Sequence, residues 1–198
     1  CYPTSAILGL YPALKNRLVR PHGIIIDSKS GTTGAGRGAK VGSLFCEVTD
    51  NFKAYNLGKH RHTPEIEQEL TAFSSKKDIR VSFSPHLLPI NRGILSTMYA
   101  SLREGISAER VYGVYETAYE RFPWLRLMPK GTLPDVRNVR GTMFCDVGLV
   151  VDQRVGRLIV VSAIDNLCRG ASGQAIANAN LMCGLRLDVG LDLMPLVP

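Results

Sequence analysis

Cys1 stands just ahead of Pro3, at the head of a stretch with helical spacing. Unpaired amide hydrogens and the helix dipole stabilise a thiolate at such a position and lower the thiol pKa toward the reactive range. Position alone is equally met by an inert cysteine. His60-Arg61-His62 precedes Thr63-Pro64-Glu65, where a second helix is expected to open. Imidazoles there can act as acid and base near neutrality, with Glu65 orienting or tuning one of them. The i, i+2 histidines could instead share a metal ion, but no third ligand stands at an obvious spacing, and a solvated basic turn needs no chemistry at all. The run from Ser30 through Gly31, Thr32, Thr33, Gly34 and Gly36 to Arg37 and Lys40 combines free backbone amides, hydroxyls and two cations, the ingredients of an anion cradle. A surface loop that needs glycine dihedrals would read the same way. Arg92, between Asn91 and Gly93, can set a guanidinium against a carboxylate or phosphate, or belong to a turn. His22 and His86 are lone histidines beside prolines and are expected to be structural.

These side chains need a frame. Helical spacing runs from Pro3 to about Arg20, with Lys15, Arg17 and Arg20 at the end where the dipole favours cations, and Pro21-His22-Gly23 breaks it. Gly23 to Ser28 is expected to be a buried strand leading into the glycine-rich turn of 31–42, and Leu44 to Thr49 a further short strand. Thr63 reads as an N-cap with Pro64 at the first helical position, for a helix to about Phe73. Alternation predicts strands over 79–88 and 93–102. Ser107 should cap a helix to about Phe122. Strands at 142–151 and 157–164 should form a hairpin across Asp152 to Gly156, and a last helix should span 170–183. Antiparallel neighbours joined by short turns and covered by helices define an α+β domain with a mixed, largely antiparallel sheet. No G-x-G-x-x-G follows a strand, and the glycines near Gly34 do not fit a Walker A loop, because Lys40 is followed by Val41.

The 198 residues suffice for a good-sized core, and the hydrophobic fraction of 45% and charged fraction of 21% are those of an ordinary globular protein. No apolar run reaches bilayer length and no secretion leader is visible, so no membrane association is expected. The net charge of +7 comes from dispersed residues without interleaved exposed aromatics; a small phosphate or a dinucleotide explains it at least as well as nucleic acid, which is not expected as a partner. Cys1, Cys46, Cys145, Cys168 and Cys183 are odd in number and lack C-x-x-C spacing. That excludes a zinc ribbon and argues against a disulfide framework, so a reducing compartment is expected. The last four are expected mostly in apolar strand or helix contexts.

Cys1 to Thr4, Ser30 to Arg37, His60 to Gln68, Phe83 to Leu87, Asn91 to Gly93, Val139 to Gly141, Phe144 to Asp146 and Ile164 to Gln174 occur in an order that resembles the N-acetyl-gamma-glutamyl-phosphate reductases of arginine biosynthesis. The resemblance covers essentially the whole chain. It implies a glyceraldehyde-3-phosphate-dehydrogenase-like catalytic and dimerisation domain over 1–168. Residues 169–198 would form a helix and tail packing on an N-terminal Rossmann domain that is missing here. It further implies a Cys1 nucleophile that forms a thioester from an acyl phosphate, and NADPH bound mainly by the missing domain. His60 and His62 match the family's active-site histidines, His60 being the expected proton shuttle, with Glu65 beside them. Ser30, Arg37, Lys40 and Arg92 would bind substrate, and Gly170, Gln174 and Asn178 would approach the cofactor; no metal is implied. Expected partners are the acyl-phosphate substrate, a homodimer or homotetramer, and a separate chain carrying the NADP-binding domain. The expected location is the cytoplasm, or a plastid in a eukaryote. An N-terminal-nucleophile hydrolase, in which the Cys1 amine serves its own thiol, and a non-catalytic dimerisation module are the alternatives.

Overall fold

The computed structural model describes residues 1–74 and 78–196. Helix α1 spans Tyr2–Lys15, with Pro3 in its first turn, where no intrahelical amide is lost. It ends earlier than its spacing suggests: Arg17 takes a left-handed φ of 54° and turns the chain so that Leu18 and Val19 enter the core as irregular backbone. Strands β1 (Ile24–Ser30), β2 (Lys53–Ala54), β3 (Val81–Leu87), β4 (Ile94–Ser101), β5 (Leu125–Leu127), β6 (Cys145–Asp152) and β7 (Arg157–Ile164) form one seven-stranded sheet in the order β2-β3-β1-β4-β7-β6-β5. The β6–β7 hairpin forms as expected. By contrast, β3 and β4, consecutive in sequence, are not neighbours. β1 lies between them, parallel to β3 and antiparallel to β4. The short β5 pairs parallel with β6, within a stretch whose prolines suggest only a connection.

Residues 44–49 are not a strand. Phe45–Val48 is a single helical turn, α2, on a projecting loop, and Phe45 is 84% exposed. An apolar run reads as strand only if it is buried, and this one is not. Helix α3 is Thr63–Phe73, but its N-cap is His62 in αR backbone, and Thr63 is the first helical residue. Helix α4 is Ala108–Tyr119, where Ser107 Oγ accepts from the Arg110 amide at 3.2 Å, a side-chain N-cap. The last helical segment is divided: Cys168–Ser172 is a π-turn, and α5 runs Gly173–Met182. The cysteines also divide. Cys145 and Cys168 are buried, whereas Cys46 and Cys183 are exposed.

Helices α1, α3 and α4 share one core with the sheet. Small residues press α1 onto it: a Cβ on Gly9 would stand 2.4 Å from Met98 Cε. Beneath α1, Ser5 Oγ meets Ser96 Oγ at 2.9 Å and Ser162 Oγ at 2.7 Å, while Ser28 Oγ lies 2.7 Å from Ser96 Oγ, so a chain of buried hydroxyls ties the helix to β1, β4 and β7. Pro12 lacks the amide that would pair with the Leu8 carbonyl. Tyr119 Oη of α4 donates to that carbonyl at 2.7 Å, and Tyr115 Oη donates to the Gly9 carbonyl at 2.8 Å. Burial holds both phenols far above the usual tyrosine range, so they remain donors. The helix carrying Cys1 is therefore fixed from both sides.

Register then gathers the loops. Ser30 pairs with Ile94, Ile94 with Ile164, and Ile164 with Cys145, so these termini of β1, β4, β7 and β6 lie at one end of the sheet. The segments after Ser30 and Ile164 and before Ile94 and Cys145 all meet there.

Candidate active site

Cys1 is the N-cap residue of α1, half-buried, with no side-chain cap. Gly170 approaches it across the fold: a Cβ on Gly170 would lie 2.5 Å from Cys1 Cβ and 3.0 Å from Cys1 Cα. The π-turn makes this approach possible. Two i to i+5 bonds, from the Gly170 amide to the Asp165 carbonyl at 3.0 Å and from the Ser172 amide to the Leu167 carbonyl at 2.7 Å, widen the backbone there.

The histidines gather around Tyr2. The His60 ring sits 5.6 Å from Tyr2, 5.5 Å from Tyr55 and 5.3 Å from Phe83, and His62 lies 5.0 Å from His60 and 6.2 Å from Tyr2, between ring centroids. Tyr55 Oη donates to Tyr2 Oη at 3.0 Å, and Tyr2 Oη donates to the His86 carbonyl at 3.1 Å, which holds the residue after Cys1 in place. The two imidazoles differ. The His62 amide donates to His60 Nδ1 at 3.2 Å, so neutral His60 carries its proton on Nε2. His62 Nδ1 is buried without a hydrogen-bond partner among the described residues. Burial lowers both pKa values, and the neighbouring Arg61 cation adds to this. Glu65 lies in the first turn of α3, and no hydrogen bond joins it to either histidine among the described residues.

Ser30 is buried at the end of β1, its Oγ donating to the Gly31 carbonyl at 3.0 Å, and its hydroxyl influences Tyr2. Arg92 lies against Asp165, with Nη2 donating to Oδ1 and Nε 3.0 Å from Oδ2. Arg37 and Lys40 lie on the exposed loop that carries α2, without a hydrogen bond or ion pair to the cluster among the described residues. In α5, Gln174 has a buried Oε1 without a partner among the described residues, and Asn178, one turn on, is exposed. No group of three or more His, Cys, Asp or Glu is placed to hold a metal among the described residues. No helix among them is long and apolar enough to cross a membrane. His86 Nδ1 lies 3.2 Å from the Ser84 carbonyl and 3.1 Å from Asp27 Oδ1.

Sequence reasoning gave no role to Tyr2, Tyr55, Asp165 or Asn166. Asp165 and Asn166 stand inside the Ile164–Gln174 motif, which was the available signal. Asn166 Oδ1 accepts from the Gly93 amide at 2.7 Å, and its Nδ2 donates to Thr33 Oγ1 at 3.0 Å, so it ties the glycine-rich turn to the segment before β4.

A half-buried cysteine at the N-cap position of a helix packed on a mixed sheet, with two histidines gathered around the next residue, is the arrangement this fold builds. The sequence profile of the family described as "Semialdehyde dehydrogenase, dimerisation domain" matches residues 1–166, and the chain belongs to that family. It is 57% identical over its whole length to the N-acetyl-gamma-glutamyl-phosphate reductase of Desulfotalea psychrophila, of which it covers 57%. Over 96% of its length it is 58% identical to the protein of the same name from Pelotomaculum thermopropionicum, of which it covers 55%. The chain thus spans little more than half of these relatives. Among solved structures, aspartate semialdehyde dehydrogenase II of Vibrio cholerae superposes with a TM-score of 0.68 at 18% identity, covering 91% of this chain and 61% of that one. A probable aspartate-semialdehyde dehydrogenase of Pseudomonas aeruginosa gives 0.70 at 13% identity, covering 92% and 61%. These two likenesses establish the fold.

Proposed function

We propose that this chain is the catalytic part of an N-acetyl-gamma-glutamyl-phosphate reductase, which reduces an acyl phosphate to a semialdehyde through a thioester on Cys1. The observation that carries the reading is Cys1 as N-cap of α1, seated against Gly170 and next in sequence to Tyr2, around which both histidines gather. The Cys1 thiolate attacks the acyl carbon; the carbon–oxygen bond to phosphate breaks and phosphate leaves. NADPH, when bound, supplies the hydride that takes the thioester to the hemithioacetal level. Collapse of the hemithioacetal returns the sulfur as thiolate, with a histidine handling the hydroxyl proton.

Two features support His62 rather than His60 in that last role. His60 is enclosed by aromatic rings and has Nδ1 engaged by backbone, whereas His62 Nδ1 awaits a partner. Gly170, Gln174 and Asn178 would face the cofactor, and the orphaned Gln174 Oε1 suits an N–H donor such as a carboxamide. Arg37, Lys40 and Arg92 remain our candidates for the anionic groups of the substrate, with Ser30 beside them.

Residues 169–198 would pack on an NADP-binding domain outside this chain. The exposed Ile176, Leu181 and Met182 of α5 support this; residues 197–198 lie outside the described ones. The sheet face away from α1 exposes Ile25 and Val150 and would pair subunits in a homodimer or homotetramer. The location would be cytoplasmic.

The test is Cys1→Ser in the complete enzyme, assayed by phosphate-dependent oxidation of the semialdehyde. A serine hydroxyl is far less ionised than a thiol, so the rate should fall below about a hundredth. A variant that keeps more than this would refute the covalent mechanism.

A further inference from the structure

Asp165, directly after β7, is fully buried, and its carboxylate accepts four hydrogen bonds. Oδ1 accepts from the Leu167 amide at 2.8 Å, the Cys168 amide at 2.7 Å and Arg92 Nη2 at 3.0 Å. Oδ2 accepts from the Gly141 amide at 2.7 Å and lies 3.0 Å from Arg92 Nε. The Asp165 carbonyl accepts from the Gly170 amide at 3.0 Å. One residue therefore joins the segment before β4, the segment before β6 and both ends of the π-turn's approach to Cys1.

We propose that Asp165 is a positioning residue for the nucleophile: through the π-turn it holds Gly170 as the seat against which Cys1 is fixed. This rests on the reading of Cys1 as nucleophile, but its geometry can be tested without turnover. Buried carboxylates accepting several N–H bonds are structurally stiff, because each donor would otherwise be left unpaired. An amide in the same place keeps one acceptor oxygen and turns an NH2 group toward N–H donors. Asp165→Asn should therefore open the turn while nearly preserving volume. Gly170 would leave Cys1, whose side chain would become more accessible and less directed.

The experiment is iodoacetamide labelling of the complete polypeptide at fixed pH, resolved cysteine by cysteine by peptide mass spectrometry. Cys145, buried in β6, reports global opening, because burial pushes its thiol up to about 12 and shields it. Asp165→Asn should speed Cys1 labelling roughly tenfold, the scale of one lost charge-assisted hydrogen bond, with Cys145 still protected. In turnover, kcat should fall with KM little changed. Unchanged Cys1 labelling, or Cys1 and Cys145 rising together, would overturn the proposal. If Asp165→Asn does not accumulate, Arg92→Lys keeps the carboxylate and its backbone donors but loses the guanidinium Nη2 bond to Oδ1. It should raise Cys1 labelling alone by a smaller factor, and no rise would equally overturn the proposal. Cys1→Ser retaining activity would remove the catalytic reading and leave the labelling result standing, so the two failures are distinguishable.

Discussion

Gly170→Ala adds one methyl group at the point where the π-turn meets the nucleophile. The new carbon would lie 2.5 Å from Cys1 Cβ and 3.0 Å from Cys1 Cα, while ordinary carbon contacts begin near ~3.5 Å. Gly170 has no left-handed φ, so alanine is not excluded by backbone conformation and the effect is steric. The neighbours are a helix N-cap and a turn held by Asp165, neither of them a flexible side-chain end, so Cys1 must shift by about 1 Å. A misplacement of that size costs about 10²-fold in rate. Overpacking should also destabilise by about 1–3 kcal/mol and lower Tm. The assay is phosphate-dependent semialdehyde oxidation by the complete enzyme, paired with a thermal melt. A variant with full kcat and an unshifted Tm would refute the seating of Cys1 on Gly170. A variant with lost stability but full kcat would show that the contact is structural only.

In the complete enzyme, His62→Asn should lower kcat by roughly 10²–10⁴-fold, whereas His60→Asn should chiefly lower Tm by opening the aromatic enclosure; the opposite pattern in kinetics and melts would return the proton role to His60. Tyr119→Phe strands the buried Leu8 carbonyl at Pro12 and should cost about 1–3 kcal/mol in urea unfolding. A loss well under about 0.5 kcal/mol would mean that the carbonyl finds another donor.

Much of the framework was legible because its ends are chemically punctuated. Ser107 caps α4, Pro64 opens α3, and Gly156 with its polar neighbours turns the β6–β7 hairpin. What escaped depends on contacts distant in sequence. The parallel pairing of β1 with β3 places a strand between two consecutive ones, and no local pattern carries that information. The three residues of β5 are too few for alternation to register. Residues 44–49 have strand-like composition, yet composition does not report burial, and the loop projects outward. The end of α1 is set by a single left-handed residue, Arg17. At the candidate site, Cys1, His60 and His62 stand in ordered motifs and are therefore singled out by the sequence. Their unequal environments were not, because the Nδ1 contact of His60 and the orphaned Nδ1 of His62 arise only when Tyr2, Tyr55 and Phe83 converge. Asp165 offered no periodic or compositional signal; its importance lies in the number of backbone amides that the fold brings to it.

The most direct test of the central claim is to mix the complete enzyme, without reduced cofactor, with the acyl phosphate and to map the adduct by intact-protein and peptide mass spectrometry. Cys1 should gain one acyl group with stoichiometric release of phosphate. The adduct should be cleaved by hydroxylamine and absent in Cys1→Ser, as a thioester requires. Phosphate release with no acyl group on Cys1, or an acyl group on another residue, would contradict the account.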